Sequence, residues 1–245
     1  MRYGIISDVH SNLEALKAAL DYLQDVDALF CVGDVVGYGP NPNECCDLIR
    51  ERSTMSVLGN HDAAAIGRMP LDWFNPLARI AIRWTAGQLS DVSRGYLETL
   101  ALVYRSEEFI MVHGSLSSPQ CFEYITSPWE ARNTLHEMDE HTVCFIGHTH
   151  AAEYYWRQIG RFTAHTADMA FGGVIELKPD CRYVINCGSV GQPRDGNPKA
   201  SAVIFDTEAR TVEIHRLEYP LDITQRKMRD IGLPEPLRQR LESGT

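Results

Sequence analysis

Leu29-Phe30-Cys31-Val32-Gly33-Asp34-Val35-Val36-Gly37-Tyr38 is an apolar run that ends on a carboxylate and breaks at once into glycine. Such a run reads as a buried strand, and an aspartate at its carboxyl end lies in the crevice where open α/β sheets carry their ligands. An ionised carboxylate buried there without a partner is heavily penalised, so Asp34 needs cations beside it. The alternative is a loop aspartate that caps the following turn. The neighbouring stretches decide between the two.

Toward the N-terminus, Arg2 to Ser7 reads as a short strand that delivers Asp8-Val9-His10. Ser11 or Asn12 can cap a helix in which Leu13, Leu16, Leu20 and Leu23 recur at helical spacing. Strand, helix and strand make the βαβ unit of a parallel sheet, which brings Asp8 and Asp34 out at the same edge. Beyond Asp34, the turn residues from Gly37 to Pro42 precede a short helix from Glu44 to Arg52. Ser56-Val57-Leu58 then reads as a third strand ending on Gly59-Asn60-His61-Asp62. Pro76 to Leu100 predicts two helices broken around Ser90-Asp91. A fourth strand, Phe109 to Val112, ends on His113-Gly114, and a fifth, Val143 to Ile146, ends on Gly147-His148-Thr149-His150. Between them Ser127-Pro128-Trp129-Glu130 has the form of a capping box with proline at the first helical position.

The remainder is richer in β signals: Glu153 to Ile159, Gly173 to Leu177, Tyr183 to Asn186, Ala202 to Phe205 and Val212 to Leu217. These segments are expected to form a second sheet packed on the first. A weakly packed helical appendage is expected from about residue 220, with two prolines and several arginines from Leu221 onward. No linker, repeat or low-complexity tract interrupts the chain, so residues 1–245 are expected to form a single domain.

Composition narrows the function classes. No run approaches the roughly 18 apolar residues that a membrane helix requires, and Met1 to Asp8 lacks the apolar core of a secretory signal. The expectation is a cytoplasmic protein. Seven scattered cysteines without a Cys-x-x-Cys pair fit free, buried thiols in a reducing compartment. A net charge of −10 argues against duplex nucleic acid or an anionic membrane as a partner bound by general electrostatics. Cations in a cleft can invert that sign locally and admit a small anionic ligand.

Five strand ends therefore carry Asp8 and His10, Asp34, Asn60 and His61, His113, and His148 with His150. All are residue types that bind divalent metals through oxygen or imidazole nitrogen. Five of the nine histidines stand at these ends, and His136, His141, His165 and His215 read as ordinary polar residues. Asp8 and His10 are two apart, as are His148 and His150, which on an extended backbone points each pair the same way. Gly33, Gly59, Gly114 and Gly147 allow tight turns and close backbone approach. Carboxylate, amide and imidazole without cysteine suit Mn, Fe, Zn, Co or Ni better than a structural zinc site.

Asp8-Val9-His10, Gly33-Asp34, Gly59-Asn60-His61-Asp62, Val112-His113-Gly114 and Gly147-His148-Thr149-His150 resemble, in order and spacing, the motifs of the calcineurin-like metallophosphoesterases. Small bacterial and archaeal phosphodiesterases of that superfamily are the nearest in pattern. Ile185 to Arg194 also resembles their late loop, with Cys187 where proline is usual. The resemblance implies an α/β fold, a four-layer αββα sandwich of two packed mixed sheets flanked by helices. It implies two divalent ions, one held by Asp8, His10 and His150, the other by Asn60, His113 and His148, with Asp34 bridging them. It implies that His61 is not a ligand but faces the leaving-group oxygen, with Asp62 placed to orient it, although Asp62 could equally cap a helix at Ala63. Two ions about 3.5 to 4 Å apart can acidify a bridging water for in-line attack on phosphorus.

The activity so implied is hydrolysis of a small phosphodiester or phosphomonoester by a metal-bridging hydroxide. A nuclease of the same fold and a catalytically idle interaction scaffold are the alternatives, and the complete ligand set with His61 counts against the scaffold. Tyr38, Asn41, Arg68, Trp73, Phe74 and Arg194 are candidates for the substrate side, and Arg194 is the strongest as a phosphate clamp.

Overall fold

The computed structural model describes residues 1–245. Arg2–Ile6 (β1), Ala28–Cys31 (β2) and Met55–Ser56 (β3) pair in parallel, and Leu13–Tyr22 (α1) and Pro42–Arg52 (α2) make the crossovers. The Asn12 side chain caps α1 by accepting from the Ala15 N–H. Asn60–Ala65 (α3) follows, then Pro76–Gln88 (α4) and Asp91–Thr99 (α5), separated where the Ser90 side chain accepts from the Ser93 N–H. Val103–Arg105 (β4), Ile110–Val112 (β5), Pro128–Glu137 (α6) and Val143–Ile146 (β6) come next. Ser127 caps α6 as its sequence predicts, and the Glu130 carboxylate reaches back to the Thr126 N–H. The later strands are Ala152–Gln158 (β7), His165–Asp168 (β8), Gly173–Glu176 (β9), Cys181–Cys187 (β10), Ala200–Asp206 (β11) and Thr211–Leu217 (β12). Leu221–Asp230 (α7) and Glu235–Ser243 (α8) close the chain.

Two mixed six-stranded sheets result, ordered β3-β2-β1-β11-β12-β9 and β4-β5-β6-β10-β7-β8. Flanked by helices, they form the α/β sandwich that the motifs imply. Their membership differs from the sequence expectation. The late segments do not make a sheet of their own: β9, β11 and β12 extend the first sheet, whereas β5 and β6 join β4, β7, β8 and β10 in the second. An apolar run specifies that a strand is buried, and it does not specify which neighbour accepts its hydrogen bonds.

The alternation of side chains shows why these runs are apolar throughout. Ile5, Phe30, Phe109, Met111, Phe145, Val203 and Phe205 point between the sheets. Their neighbours Ile6, Cys31 and Ile204 point outward beneath the helices of the first sheet, and Ile110, Cys144 and Ile146 beneath α6 on the second. Phe109 makes edge-to-face contacts with Phe30, Phe145 and Phe205, which ties the two inner faces together. Six of the cysteines are buried as expected, but Cys121 is exposed. Cys187 continues β10 opposite Ala152, so its place in the late loop needs no proline. No helix is long and apolar enough to cross a membrane.

The C-terminal helices are not weakly packed. Met228, Leu233, Leu237 and Leu241 belong to the same apolar cluster as Leu16 and Ile49. The Thr224 hydroxyl donates to Asn12 Oδ1, and Lys227 pairs with Glu14. Their apolar residues recur at helical spacing and close the outer face of the first sheet over α1. Leu237→Ala is therefore expected to lower unfolding free energy by about 2–5 kcal/mol in a urea melt. Arg226→Ala, which removes only an exposed pair with Asp222, should change it by less than about 1 kcal/mol.

Candidate metal centre

The strand ends of both sheets meet at one edge. Asp8 follows β1, Asp34 follows β2, and Asn60 opens α3 just after β3; His113 follows β5, and His148 and His150 follow β6. All are buried. The geometry differs from an extended ladder. Asp8, His10, Asp34, His148 and His150 all have positive φ, between 49° and 72°, so the ligand-type side chains are aimed by left-handed turns. Close backbone approach makes this possible: a Cβ on Gly59 would overlap Asp34 Oδ1, and one on Gly147 would overlap Asp8 Oδ2.

Ligand-type atoms of Asp8, His10, Asp34 and His150 lie within 4.8 Å of one another, as do those of Asp34, His113 and His148, and Asp34 belongs to both groups. Asn60 Oδ1 is 3.2 Å from His113 Nε2, which places it with the second group. Backbone carbonyls set the imidazole tautomers. His10 Nδ1 donates to Val36 O at 3.1 Å, His113 Nδ1 to Val32 O at 2.8 Å and His150 Nδ1 to Gln192 O at 2.6 Å. Each Nε2 lone pair is thereby turned inward, as in metal-binding histidines.

The inward-facing atoms lack partners of their own. His10 Nε2 and His150 Nε2 stand 3.0 Å apart, so two lone pairs oppose each other unless a proton or a metal cation lies between them. Asp34 Oδ2 and His148 Nε2 are buried without any hydrogen bond. Asp34 Oδ2 is 3.3 Å from His113 Nε2 and 3.6 Å from His10 Nε2. Convergent oxygen and nitrogen acceptors with too few donors fit a divalent cation.

Electrostatics point the same way. Burial opposes the ionisation of Asp8 and Asp34, yet the surrounding histidines outweigh it and hold both carboxyls well below the ordinary range. His113 is pushed up to about 9 because the Asp34 charge outweighs burial. Burial, with His113 beside it, lowers His148 to about 3, and burial with Arg194 lowers His150. The carboxylates are thus anionic and His148 and His150 neutral, which are the protonation states of metal ligands, whereas His113 holds a proton beside Asp34 that a bound cation would displace.

His61 lies at the mouth of the cluster, with its ring centroid 4.8 Å from that of His10 and 4.4 Å from Tyr38. Its N–H donates to Asp34 Oδ1 at 2.9 Å, while its side-chain Nδ1 has no partner. Burial keeps the ring neutral, despite the opposing Asp34 charge. Asp62 does not bond the His61 side chain. It is the third residue of α3, and its carboxylate accepts from the N–H groups of Gly59, Val35 and Val36. Asp62 therefore holds the loop after Asp34 to the helix that carries Asn60 and His61.

The late loop has a definite role. Its Val190 and Gly191 N–H groups donate to Ser7 O and Asp8 O, and the Ser189 hydroxyl also donates to Asp8 O at 2.8 Å. Asn186 Nδ2 donates to Gly147 O, and the Arg194 N–H donates to His150 O. The loop runs from β10 in one sheet to β11 in the other and fixes ligand turns from both. Tyr38, Trp73, Phe74 and Arg194 line a cavity of about 290 Å³ with Asn60, His61 and His148. Arg68 and Asn41 do not reach it. Arg68 faces an adjoining apolar cavity, and Asn41 bonds Glu44.

Two contributors had no readable signal in the sequence. Tyr124 stacks on His148 at 3.8 Å between ring centroids, from a loop without periodicity. The Ser7 hydroxyl donates to Asp8 Oδ2 at 2.6 Å, and only its place beside Asp8 could have suggested it.

A family model for the calcineurin-like phosphoesterase superfamily domain matches residues 1–210, and the chain belongs to that superfamily. A metallophosphoesterase of known structure from Sphaerobacter thermophilus is 43% identical, with a TM-score of 0.86 over 100% of this chain and 99% of that one. An uncharacterised protein of Methanocaldococcus jannaschii is 39% identical over 98% of this chain and 97% of its own length. A hypothetical protein of Pyrococcus horikoshii, 18% identical, shares the fold at a TM-score of 0.79 over 100% of this chain and 98% of its own.

Because the Gly59 backbone lies against the Asp34 carboxylate, Gly59→Ala is expected to lower Mn²⁺ affinity about 10- to 100-fold by calorimetry. Gly87→Ala in α4, where a Cβ meets nothing within 4 Å, should leave Mn²⁺ binding intact and add about 0.5–1 kcal/mol of stability.

Proposed function

We propose that the protein hydrolyses small phosphate esters at a centre that holds two divalent ions. The observation that carries this reading is the position of Asp34, whose unpartnered Oδ2 is shared by two convergent groups of buried ligands. Asp8, His10 and His150 would hold one ion and Asn60, His113 and His148 the other, with Asp34 on both. Mn, Fe, Zn, Ni and Co all suit such a donor set. When bound, a pair of such ions supplies an acidified water and draws charge from the phosphoryl oxygens.

The protein's own groups provide the rest. Val32, Val36 and Gln192 carbonyls hold three imidazoles with Nε2 inward, so the ligand atoms need little rearrangement on loading. Tyr38 and Phe74 pack on the His61 ring and exclude water from it. His61 is neutral in the free protein, and a phosphate anion bound beside it would favour the imidazolium that can protonate a leaving-group oxygen. Arg194, whose guanidinium carbon lies 5.4 Å from the centre of the Tyr38 ring, offers donors to phosphoryl oxygens on the same side.

The Mn²⁺-loaded protein is expected to hydrolyse bis-p-nitrophenyl phosphate. His61→Ala should lower kcat about 10²- to 10⁴-fold with metal content unchanged. Asp34→Asn should weaken both ions together; two tightly bound ions with normal turnover in that variant would overturn the reading.

A further inference from the structure

Arg194 and Arg240 are placed side by side without a counter-charge. Arg194 Nη2 donates to Gln192 Oε1 at 2.8 Å, and Arg240 Nη1, from the last turn of α8, approaches the same oxygen at 3.4 Å. Neither guanidinium forms a salt bridge, and the Nε of each is buried without a partner, as is Gln192 Nε2. Both side chains are partly buried, and burial with the Arg194 charge lowers the pKa of Arg240. The chain carries 33 acidic residues against 23 basic ones, so carboxylates were available to neutralise the pair. Two cations sharing one neutral amide oxygen repel each other and lose hydration together, an arrangement that an anion would relieve.

The location gives that anion a meaning. Gln192 holds His150 Nδ1 through its backbone carbonyl and the two arginines through its side chain, so the pair lies one residue from the candidate metal centre. Arg194 lines the same cavity as His61 and Asn60. Arg240 reaches the same Gln192 oxygen from α8 and lies outside both the motifs and the matched residues 1–210. Planar guanidiniums with free donors suit the oxygens of a phosphate group.

We propose that Arg240, with Arg194 bordering both positions, forms a second anion subsite that receives a phosphate adjacent to the one attacked, so the preferred substrates carry a phosphoanhydride-linked pair of phosphates. The water oxygen forms a bond to the attacked phosphorus, the anhydride P–O bond breaks, and the adjacent phosphate leaves as a monoester while the attacked one is released as inorganic phosphate. This rests on the phosphoesterase reading, in which the attacked phosphate lies at the metal centre. A nucleoside diphosphate has the required chemistry, whereas bis-p-nitrophenyl phosphate offers only one anionic group. The class of reaction that supplies such a substrate leaves a diphosphate ester as its product.

The test separates binding from turnover. Methylenediphosphonate, which carries two linked phosphonates and resists hydrolysis, and methylphosphonate, which carries one, are titrated into the Mn²⁺-loaded protein and its Arg240→Gln and Arg240→Lys variants. The wild type is expected to favour the diphosphonate, and Arg240→Gln to lose about ten-fold or more of that preference while methylphosphonate affinity stays within about two-fold. Arg240→Lys should recover part of the preference, and Arg240→Gln should melt no lower than wild type because a repulsion is removed. Chelation of Mn²⁺ by the diphosphonate acts equally in all three proteins and cancels in the comparison. An unchanged preference in Arg240→Gln, or equal losses for both probes, overturns the proposal. Absence of turnover on every ester would overturn the phosphoesterase reading and leave the binding result to decide the subsite.

Discussion

The structure turns on one constraint: the carboxylates of Asp8 and Asp34 are buried, and an anion inside a protein must be matched by positive charge and hydrogen-bond donors. Asp8 receives the Ser7 hydroxyl and the His148 N–H. Asp34 Oδ1 receives the His61 N–H, which leaves Oδ2 with imidazoles as its near neighbours. His113, raised by the Asp34 charge, carries a proton and meets part of this demand, whereas His148 and His150 are neutral and offer only lone pairs. A divalent cation would meet the rest, and the inward turn of the ligand-type side chains suits one.

Holding the cluster in shape has its own energetic demand. Ser11 and Tyr38 join the five positive-φ ligand-type residues in the left-handed region, at about 1–2 kcal/mol each for residues with a side chain. Such conformations persist only where the surroundings over-determine them. Here the surroundings are identifiable. The late loop binds the turn of Asp8 through three donors, Asp62 binds the turn after Asp34, and the Val36 carbonyl binds His10. The Ser11 hydroxyl accepts from the Gly37 N–H, so even the residue next to the ligands is tied across the site.

The legible parts of the sequence were those with local physics. Apolar runs ending in glycine and a ligand-type residue located every strand end of the cluster, the caps at Asn12 and Ser127 located helix starts, and Ser90 was legible only as a break between helices. Strand partnership was not legible, because β1 and β11 are buried on both faces and would satisfy either sheet. The direction of the ligands was not legible either. A spacing of two suggested an extended backbone, but His148 and His150 lie in turns whose conformation is set by contacts to residues far along the chain, including Asn186 and Gln192. Tyr124 and Arg240 approach the site from segments whose own patterns speak only of a loop and an amphipathic helix.

The ligand-type residues come from both sheets: Asp8, Asp34 and Asn60 from the ends of the first, His113, His148 and His150 from the ends of the second. Between the sheets the contacts are mainly apolar and non-directional, centred on Phe109 and its aromatic neighbours, and such contacts tolerate small sliding. Directional bonds at the cluster remove that freedom. His113 Nδ1 to Val32 O, the His148 N–H to Asp8, and Asn12 Nδ2 to Gly191 O each join one sheet's ligand turn to another segment. A divalent ion held by this cluster would add stronger bonds across the same gap, and whatever binds only the folded state stabilises it in proportion to its affinity. The registry of the two sheets and a metal load would therefore be linked: loosening either one would weaken the other, through the same few ångströms of backbone at the strand ends.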